Sequence, residues 1–222
     1  MPDILNSISY EKSIMTIVKV KNQDPNFSYK DWSKPDLEPV RKAIRDFYRK
    51  EQNGKCAYCK NPVSLQSANN CHVEHIAPKS KYQKFIFEAK NLCVICADCN
   101  EIKREQETLR SELDPIRKKS VKLYPRSESA FLIVHPHFDN YNEHIKILSG
   151  NHYIDLSMKG NFTIGSCKLN RLLHRYGWPD EISTLDDILS SINKIMDAPD
   201  PIQQVMEIKK LGAKINSNQQ LF

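Results

Sequence analysis

Cys56-Ala57-Tyr58-Cys59, Glu74-His75-Ile76-Ala77-Pro78, Asn91-Leu92 and Cys96-Ala97-Asp98-Cys99-Asn100 follow one another within 45 residues. A Cys-x-x-Cys turn offers two thiolates from one tight loop, and a second turn completes the tetrahedral shell that zinc prefers. Cys56, Cys59, Cys96 and Cys99 therefore predict one structural zinc site. The 36 residues between the pairs exceed a simple ribbon and leave room for a functional insertion. Cys93-Val94-Ile95-Cys96 is an overlapping pair, so Cys93/Cys96 is an alternative. Cys96/Cys99 is preferred because it sets Asn100 directly beside the staple. Cys71 and Cys167 read as packing residues. Of the seven cysteines, six fall between Cys56 and Cys99. An odd, clustered set argues against a secreted disulfide scaffold and for metal ligation in a reducing compartment.

The chain has 222 residues, 40% of them apolar, and a mean hydropathy of −0.58. That is enough to bury a core in one large or two small domains. No apolar run reaches membrane-spanning length, and the first residues (Met1-Pro2-Asp3-Ile4-Leu5) lack the basic and apolar regions of a secretion signal. The expectation is a cytoplasmic protein with no membrane partner. The net charge of +6 is uneven: residues 41–126 hold 19 Lys and Arg against 10 Asp and Glu, whereas the remainder is net acidic. Positive charge thus coincides with the cysteine region, as binding to a phosphate backbone requires. A merely solvated basic face is the plainer reading of the same numbers.

Residues 1–35 show little periodicity and read as an N-terminal arm, with a first strand at Ile17, Val18 and Val20. Asp36 can cap a helix to about Gln52, because Leu37, Val40, Ile44 and Phe47 recur at helical spacing and Gly54 lies past its end. Cys71–Ile76 is a strand candidate ended by Pro78, and a helix starts near Cys99. After Pro115 the runs Phe131–His135, Ile145–Leu148, Tyr153–Leu156 and Phe162–Ile164 predict a small antiparallel meander. Ser149-Gly150-Asn151 and Lys159-Gly160-Asn161 are its turns. Thr184 with Asp187 resembles a capping box for one helix; Asp200-Pro201 opens another, closed by Gly212. The predicted class is α+β, divided into an arm at 1–35, a core at 36–110 and a C-terminal α+β region at 111–222 that is a candidate for partner binding.

From Lys55 to Lys103 the chain resembles the HNH endonuclease family, with its ββα-metal motif. The residues that carry the resemblance are Glu74-His75-Ile76-x-Pro78, Asn91-Leu92 and Cys96-x-x-Cys99-Asn100-x-x-Lys103. The family's last motif position takes His or Asn, and here it is Asn100. The resemblance implies that His75 is the general base for an attacking water, a role suited to a side chain titrating near neutral pH. It implies that Glu74 and Asn100 bind one divalent cation, Mg²⁺ or a similar hard ion, and that Asn91 ties the loop and orients His75. Lys79, Lys81, Lys84, Lys103 and Arg104 stand beside the motif as candidate phosphate contacts. Strict strand alternation sends Glu74 and His75 to opposite faces, so sharing one site requires the strand to twist or end there. His72 shares Glu74's face and is a substitute ligand.

A second stretch resembles the HNH subunits of ATPase-paired anti-phage systems of the Septu and retron-associated types. It runs from His135-Pro136-His137-Phe138-Asp139 through Glu143-His144-Ile145 and Gly160-x-x-Thr163-Ile164 to Leu169-Asn170-Arg171. That likeness implies an ABC-type ATPase partner. His135, His137 and His144 could also form a second metal cluster, or simply make hydrogen bonds. The leading expectation is a zinc-stapled, Mg²⁺-dependent endonuclease acting on DNA. The rivals are a zinc-bearing nucleic-acid-binding or adaptor protein without cleavage, and the same chemistry directed at RNA or tRNA.

Overall fold

The structure, a computed structural model, describes residues 1–110, 123–148, 152–176 and 184–219. The chain divides into two compact units, Met1–Ile145 with Asp155–Leu169, and Lys146–Ile154 with Asn170–Phe222. These units cut across the expected division into 1–35, 36–110 and 111–222. The described elements mix helices with two small antiparallel sheets of two strands each. None of the described helices is long and apolar enough to cross a membrane.

The first unit is organised by helix α2 (Glu38–Glu51) against strands β1 (His72–His75) and β2 (Leu92–Ile95). Leu37, Val40, Ile44 and Tyr48 recur every three or four residues and are wholly buried, so one stripe of the helix faces the core. Asp36 does not cap it. A 3-10 turn at Pro35–Leu37 leads in, Leu37 is the N-cap, and the Asp36 carboxylate pairs with Lys21 at 2.5 Å. Gly54 follows the C-terminus with φ +69°, a left-handed conformation that favours glycine.

β1 pairs antiparallel with β2, setting Glu74 opposite Cys93 and His75 opposite Leu92. All four β2 residues are buried. On the side of Val94 away from β1, Gln52 uses its carboxamide as a strand would. Val94 N–H donates to Gln52 Oε1, and Gln52 Nε2 donates to Val94 O, both at 2.8 Å. Helix α3 (Ala97–Lys103) follows at once, starting two residues before the expected Cys99 and capped by the Cys96 sulfur, and contacts β1.

Residues 1–35 are more ordered than an irregular arm. Helix α1 (Lys12–Gln23) occupies the place of the expected strand, with Ile14 and Val18 one turn apart on its inner side and Val20 exposed. The β-branched residues suggested a strand, but their spacing to the buried neighbour is helical. Ile4, Ile8, Phe27 and Trp32 also enter the core.

The expected meander is only half present. β3 (Ile145–Leu148) and β4 (His152–Asp155) pair, whereas Phe131 makes a single bridge to Leu109 and the rest of Phe131–His135 is irregular. Phe162–Ile164, with the supposed turn Lys159-Gly160-Asn161, lies inside helix α4 (Met158–Cys167), which Ser157 caps by accepting from Gly160 N–H. A three-residue apolar run carries too little periodicity to separate strand from helix. The turn Ser149-Gly150-Asn151 lies outside the described residues.

In the second unit Asn170 accepts from Tyr153 N–H and donates to Tyr153 O, both at 2.8 Å, which tethers the start of helix α5 (Arg171–Tyr176) to β4. Helix α6 (Thr184–Met196) packs on α7 (Pro201–Gln219). Asp200 caps α7 as expected, accepting from Ile202 and Gln203 N–H. Gly212 does not end that helix, which continues to Gln219. The side chains of the proposed Thr184–Asp187 capping box lie outside the described set.

Candidate active site

The four cysteines expected to hold zinc converge. The Sγ atoms of Cys56, Cys59, Cys96 and Cys99 all lie within 4.8 Å of one another, and Cys59 Sγ is 3.6 Å from Cys96 Sγ. A tetrahedral shell with zinc–sulfur bonds of about 2.3 Å has sulfur–sulfur edges of about 3.8 Å, so the set fits the ion. Cys93, Cys71 and Cys167 are buried but stand outside the group. Among the described residues no other set of three or more His, Cys, Asp or Glu side chains is placed to share a metal.

Next to this cluster, β1 and α3 line a cleft of about 500 Å³ with Val73, Glu74, His75, Pro78, Lys79, Asn100, Glu101, Arg104 and Glu105. The cleft therefore brings Glu74, His75 and Asn100 together although alternation along β1 separates the first two. Both are buried, on different neighbours. The Glu74 carboxylate turns toward α3 and the first cysteine turn, accepting from Lys103 Nζ and, at 3.4 Å, from Tyr58 Oη. His75 turns toward the loop that follows β1, with Nε2 3.0 Å from Ile86 O and Trp32 against its ring. The strand ends at this point: Ile76 N–H donates to Asn91 O, and Ile76 O accepts from Thr108 Oγ1.

The contact with Ile86 fixes the His75 tautomer. A carbonyl oxygen only accepts, so Nε2 carries the proton and Nδ1 keeps its lone pair. Burial, reinforced by the positive charges of Lys79 and Lys103, pushes the His75 pKa down to about 3 despite the stabilising bond to Ile86. The imidazole is neutral across the physiological range, but it does not titrate near neutral pH as expected, and burial makes it a weaker base than a free histidine.

Asn91 is wholly buried and spans the loop. Its Oδ1 accepts from Ala77 N–H at 2.7 Å, and its Nδ2 donates to Ala77 O at 3.2 Å and Phe85 O at 3.0 Å. It thus clamps both ends of the 77–85 segment, which ends directly before the His75 acceptor, Ile86.

Of the expected phosphate contacts, Lys79 and Arg104 line the cleft, with Arg104 also paired to Glu101. Lys81 instead pairs with Glu107 at 3.5 Å, and Lys84 lies over the Phe85 ring. Lys103 is a correction: it is 1% exposed and joins Glu74 beneath the cleft. The signal was present, because Lys103 is one turn after the zinc-site Cys99 and shares its buried face. His72 Nε2 donates to Asn69 O at 2.9 Å, and the residue does not line the cleft. No sequence pattern could have marked the Ile86 carbonyl or Trp32, since both depend on how distant segments pack.

The histidines of the second stretch are held by hydrogen bonds. His135 Nε2 meets Tyr124 Oη at 2.9 Å, His137 Nε2 meets Leu92 O at 2.8 Å, and His144 Nδ1 meets Ser157 Oγ at 2.7 Å. Asp139, missed as a centre, accepts from His135 N–H and from Lys159 Nζ while buried. These residues hold α4 against the 133–145 segment.

Residues 56–106 match the HNH endonuclease family model. No curated protein matches the chain. The matched HNH stretch contains both cysteine turns, β1, β2, α3 and every residue lining the cleft. Its presence supports a hydrolytic nuclease that engages nucleic acid and uses a divalent metal. Trp32 and the 133–169 segment belong to the rest of the chain.

Proposed function

We propose that the protein is an endonuclease that hydrolyses phosphodiester bonds of DNA, with His75 as general base and one Mg²⁺ held by Glu74 and Asn100. The observation that carries this reading is the buried His75 lining the cleft, whose Nε2–H is committed to Ile86 O so that the Nδ1 lone pair is left to take a proton. A water beside Nδ1 gives up its proton as its oxygen attacks phosphorus, and the 3′-oxygen leaves on the opposite side. The products are a 5′-phosphate and a 3′-hydroxyl. Asn91 fixes the segment that leads into Ile86 and so holds the imidazole plane. Lys79 and Arg104 lie where a phosphate backbone would cross the mouth of the cleft. The Glu74 carboxylate and Asn100 amide are hard oxygen donors suited to a divalent cation, which when bound supplies positive charge for the pentavalent phosphate. The four thiols are the zinc ligands that staple β2 and α3 to the first cysteine turn, in the ββα-metal arrangement.

The likeness of residues 133–171 to nuclease subunits of anti-phage systems supports a role as the effector of an ATPase-paired defence system in the cytoplasm. The deciding experiment is nicking of supercoiled plasmid by zinc-loaded protein, with Mg²⁺ and with co-purified partner present. His75→Ala should abolish cleavage while leaving zinc content near that of the wild type, with the melting temperature lowered by the cavity left beside Trp32. Matched RNA and tRNA substrates in the same assay separate the DNA reading from its RNA rival. A wild-type protein that binds but cuts none of them is an adaptor.

A further inference from the structure

Lys103 is the least accessible cation in the cleft region. Its side chain is 0% exposed, its ammonium is paired with Glu74, and Nζ lies 3.5 Å from His75 O. Glu74 is itself 6% exposed. A desolvated carboxylate bound to a desolvated ammonium is already neutralised, and a second cation brought to it meets repulsion with little water to screen it. The remaining charges do not compensate. Along the cleft wall Glu101 and Glu105 are matched by Lys79 and Arg104, and Asn100 carries no charge. Taken together, the protein offers an incoming divalent ion almost no net negative charge. Hard cations such as Mg²⁺ commonly rely on one or two carboxylates completed by substrate phosphate, not on an all-protein cage.

We propose that Lys103 is a built-in countercharge for Glu74, which keeps the divalent-cation site weak until a nucleic-acid phosphate supplies the missing negative charge. This rests on the assignment of Glu74 as a metal ligand. Lys103 is a positioning and tuning residue here, without contact to the phosphate. A site arranged in this way couples metal and nucleic acid, since each raises the affinity of the other by the same factor.

The test uses full-length, zinc-loaded protein and Mn²⁺ as the probe, with free Mn²⁺ read by electron paramagnetic resonance in the absence of nucleic acid. Wild type and Lys103→Arg should bind Mn²⁺ weakly. Lys103→Met should bind about ten-fold or more tightly, because the buried Glu74 charge is then unpaired. The gain should disappear in the Glu74→Gln/Lys103→Met double variant. Lys103→Gln, which keeps a polar partner for Glu74, serves if the methionine variant fails to fold. In His75→Ala protein, which keeps Lys103, a short DNA duplex should raise Mn²⁺ affinity by about ten-fold. The proposal is overturned if neither Lys103→Met nor Lys103→Gln tightens binding, if the gain survives loss of Glu74, or if the duplex leaves Mn²⁺ affinity unchanged. These readouts are independent of cleavage. A protein that fails to cut yet shows the Lys103 effect refutes the nuclease reading alone, and a cutting protein without it refutes this inference alone.

Discussion

Trp32 stands edge-on to His75, with ring centroids 4.6 Å apart and planes at 80°. The indole comes from a segment before α2, outside the HNH stretch, and is almost fully buried. It packs its indole against the imidazole.

Truncating Trp32 to Ala should therefore weaken both fold and cleavage. The lost packing costs about 3–5 kcal/mol, as large aromatic deletions in cores do, and the imidazole loses a wall. Trp32→Phe should recover most of the cleavage rate. Urea unfolding and plasmid nicking measured on the same preparations check this; a Phe variant no better than Ala contradicts it.

Asn91→Asp tests the clamp. The new carboxylate can still accept from Ala77 N–H but cannot donate to Ala77 O and Phe85 O. Two buried carbonyls lose their donor and a charge is buried, so the variant should lose about 2–4 kcal/mol of stability. Chemical unfolding gives the number.

Replacing Cys99 by Ser removes one of the four converging thiols. Bound zinc should fall well below one per chain by elemental analysis, with a large drop in melting temperature. Cys71→Ser and Cys167→Ser should keep zinc, because neither belongs to the group. Strong chelators should mimic Cys99→Ser in the wild type.

Two glycines of α4 should respond oppositely to alanine. A Cβ at Gly160 would lie 1.9 Å from His144 O, whereas one at Gly165 meets nothing within 4 Å. Gly160→Ala should cost about 3 kcal/mol by forcing the helix away from His144. Gly165→Ala should be neutral or stabilise by up to about 1 kcal/mol through helix propensity. Thermal melts of the pair give the contrast directly.

Acid should destabilise the fold through buried histidines. Burial pushes the His137 pKa down to about 4 and that of His135 well below its ordinary value, where neighbouring His137 and Lys159 add to the effect. In the unfolded chain each titrates near about 6.5. Between these values the unfolded chain binds more protons, so stability falls as pH drops from about 6.5 toward 4 and is insensitive to these groups above that window. Each contributes up to about 1.4 kcal/mol per pH unit. Urea titrations at pH 7.5 and pH 5 should show the loss, and His137→Gln should reduce it.

The cysteine turns, β1, α2 and the cleft residues Glu74, His75, Lys79, Asn100 and Arg104 were legible because their signals are local: doubled Cys-x-x-Cys spacing, a helical stripe from Leu37 to Ile44, and Pro78 after a short run. The stripe ends on buried Tyr48, where the spacing points to Phe47. The preference for Cys99 over Cys93 as a ligand was also readable. What escaped depended on packing between distant segments. The α1 region looked like a strand because its β-branched residues are dense, and only contact with α2 settles its period. Phe162–Ile164 gave no usable periodicity, and helix α4 is set there by the Ser157 cap and the close approach of Gly160 to His144. Lys103 reads as a candidate phosphate contact from its charge alone, although its place one turn after Cys99 already puts it on the face of α3 that lies on β1.

Gln52 has a consequence for solubility. Its carboxamide occupies both hydrogen-bonding groups of Val94, and Ala57 N–H adds a second donor to the same carbonyl. The outer margin of β2 is thereby sealed by a side chain, so a stray strand from another molecule finds no free ladder to extend there. Exposed apolar strand edges invite that kind of growth, and here Gln52, the Ala57 N–H and the cover of α2 close this one together.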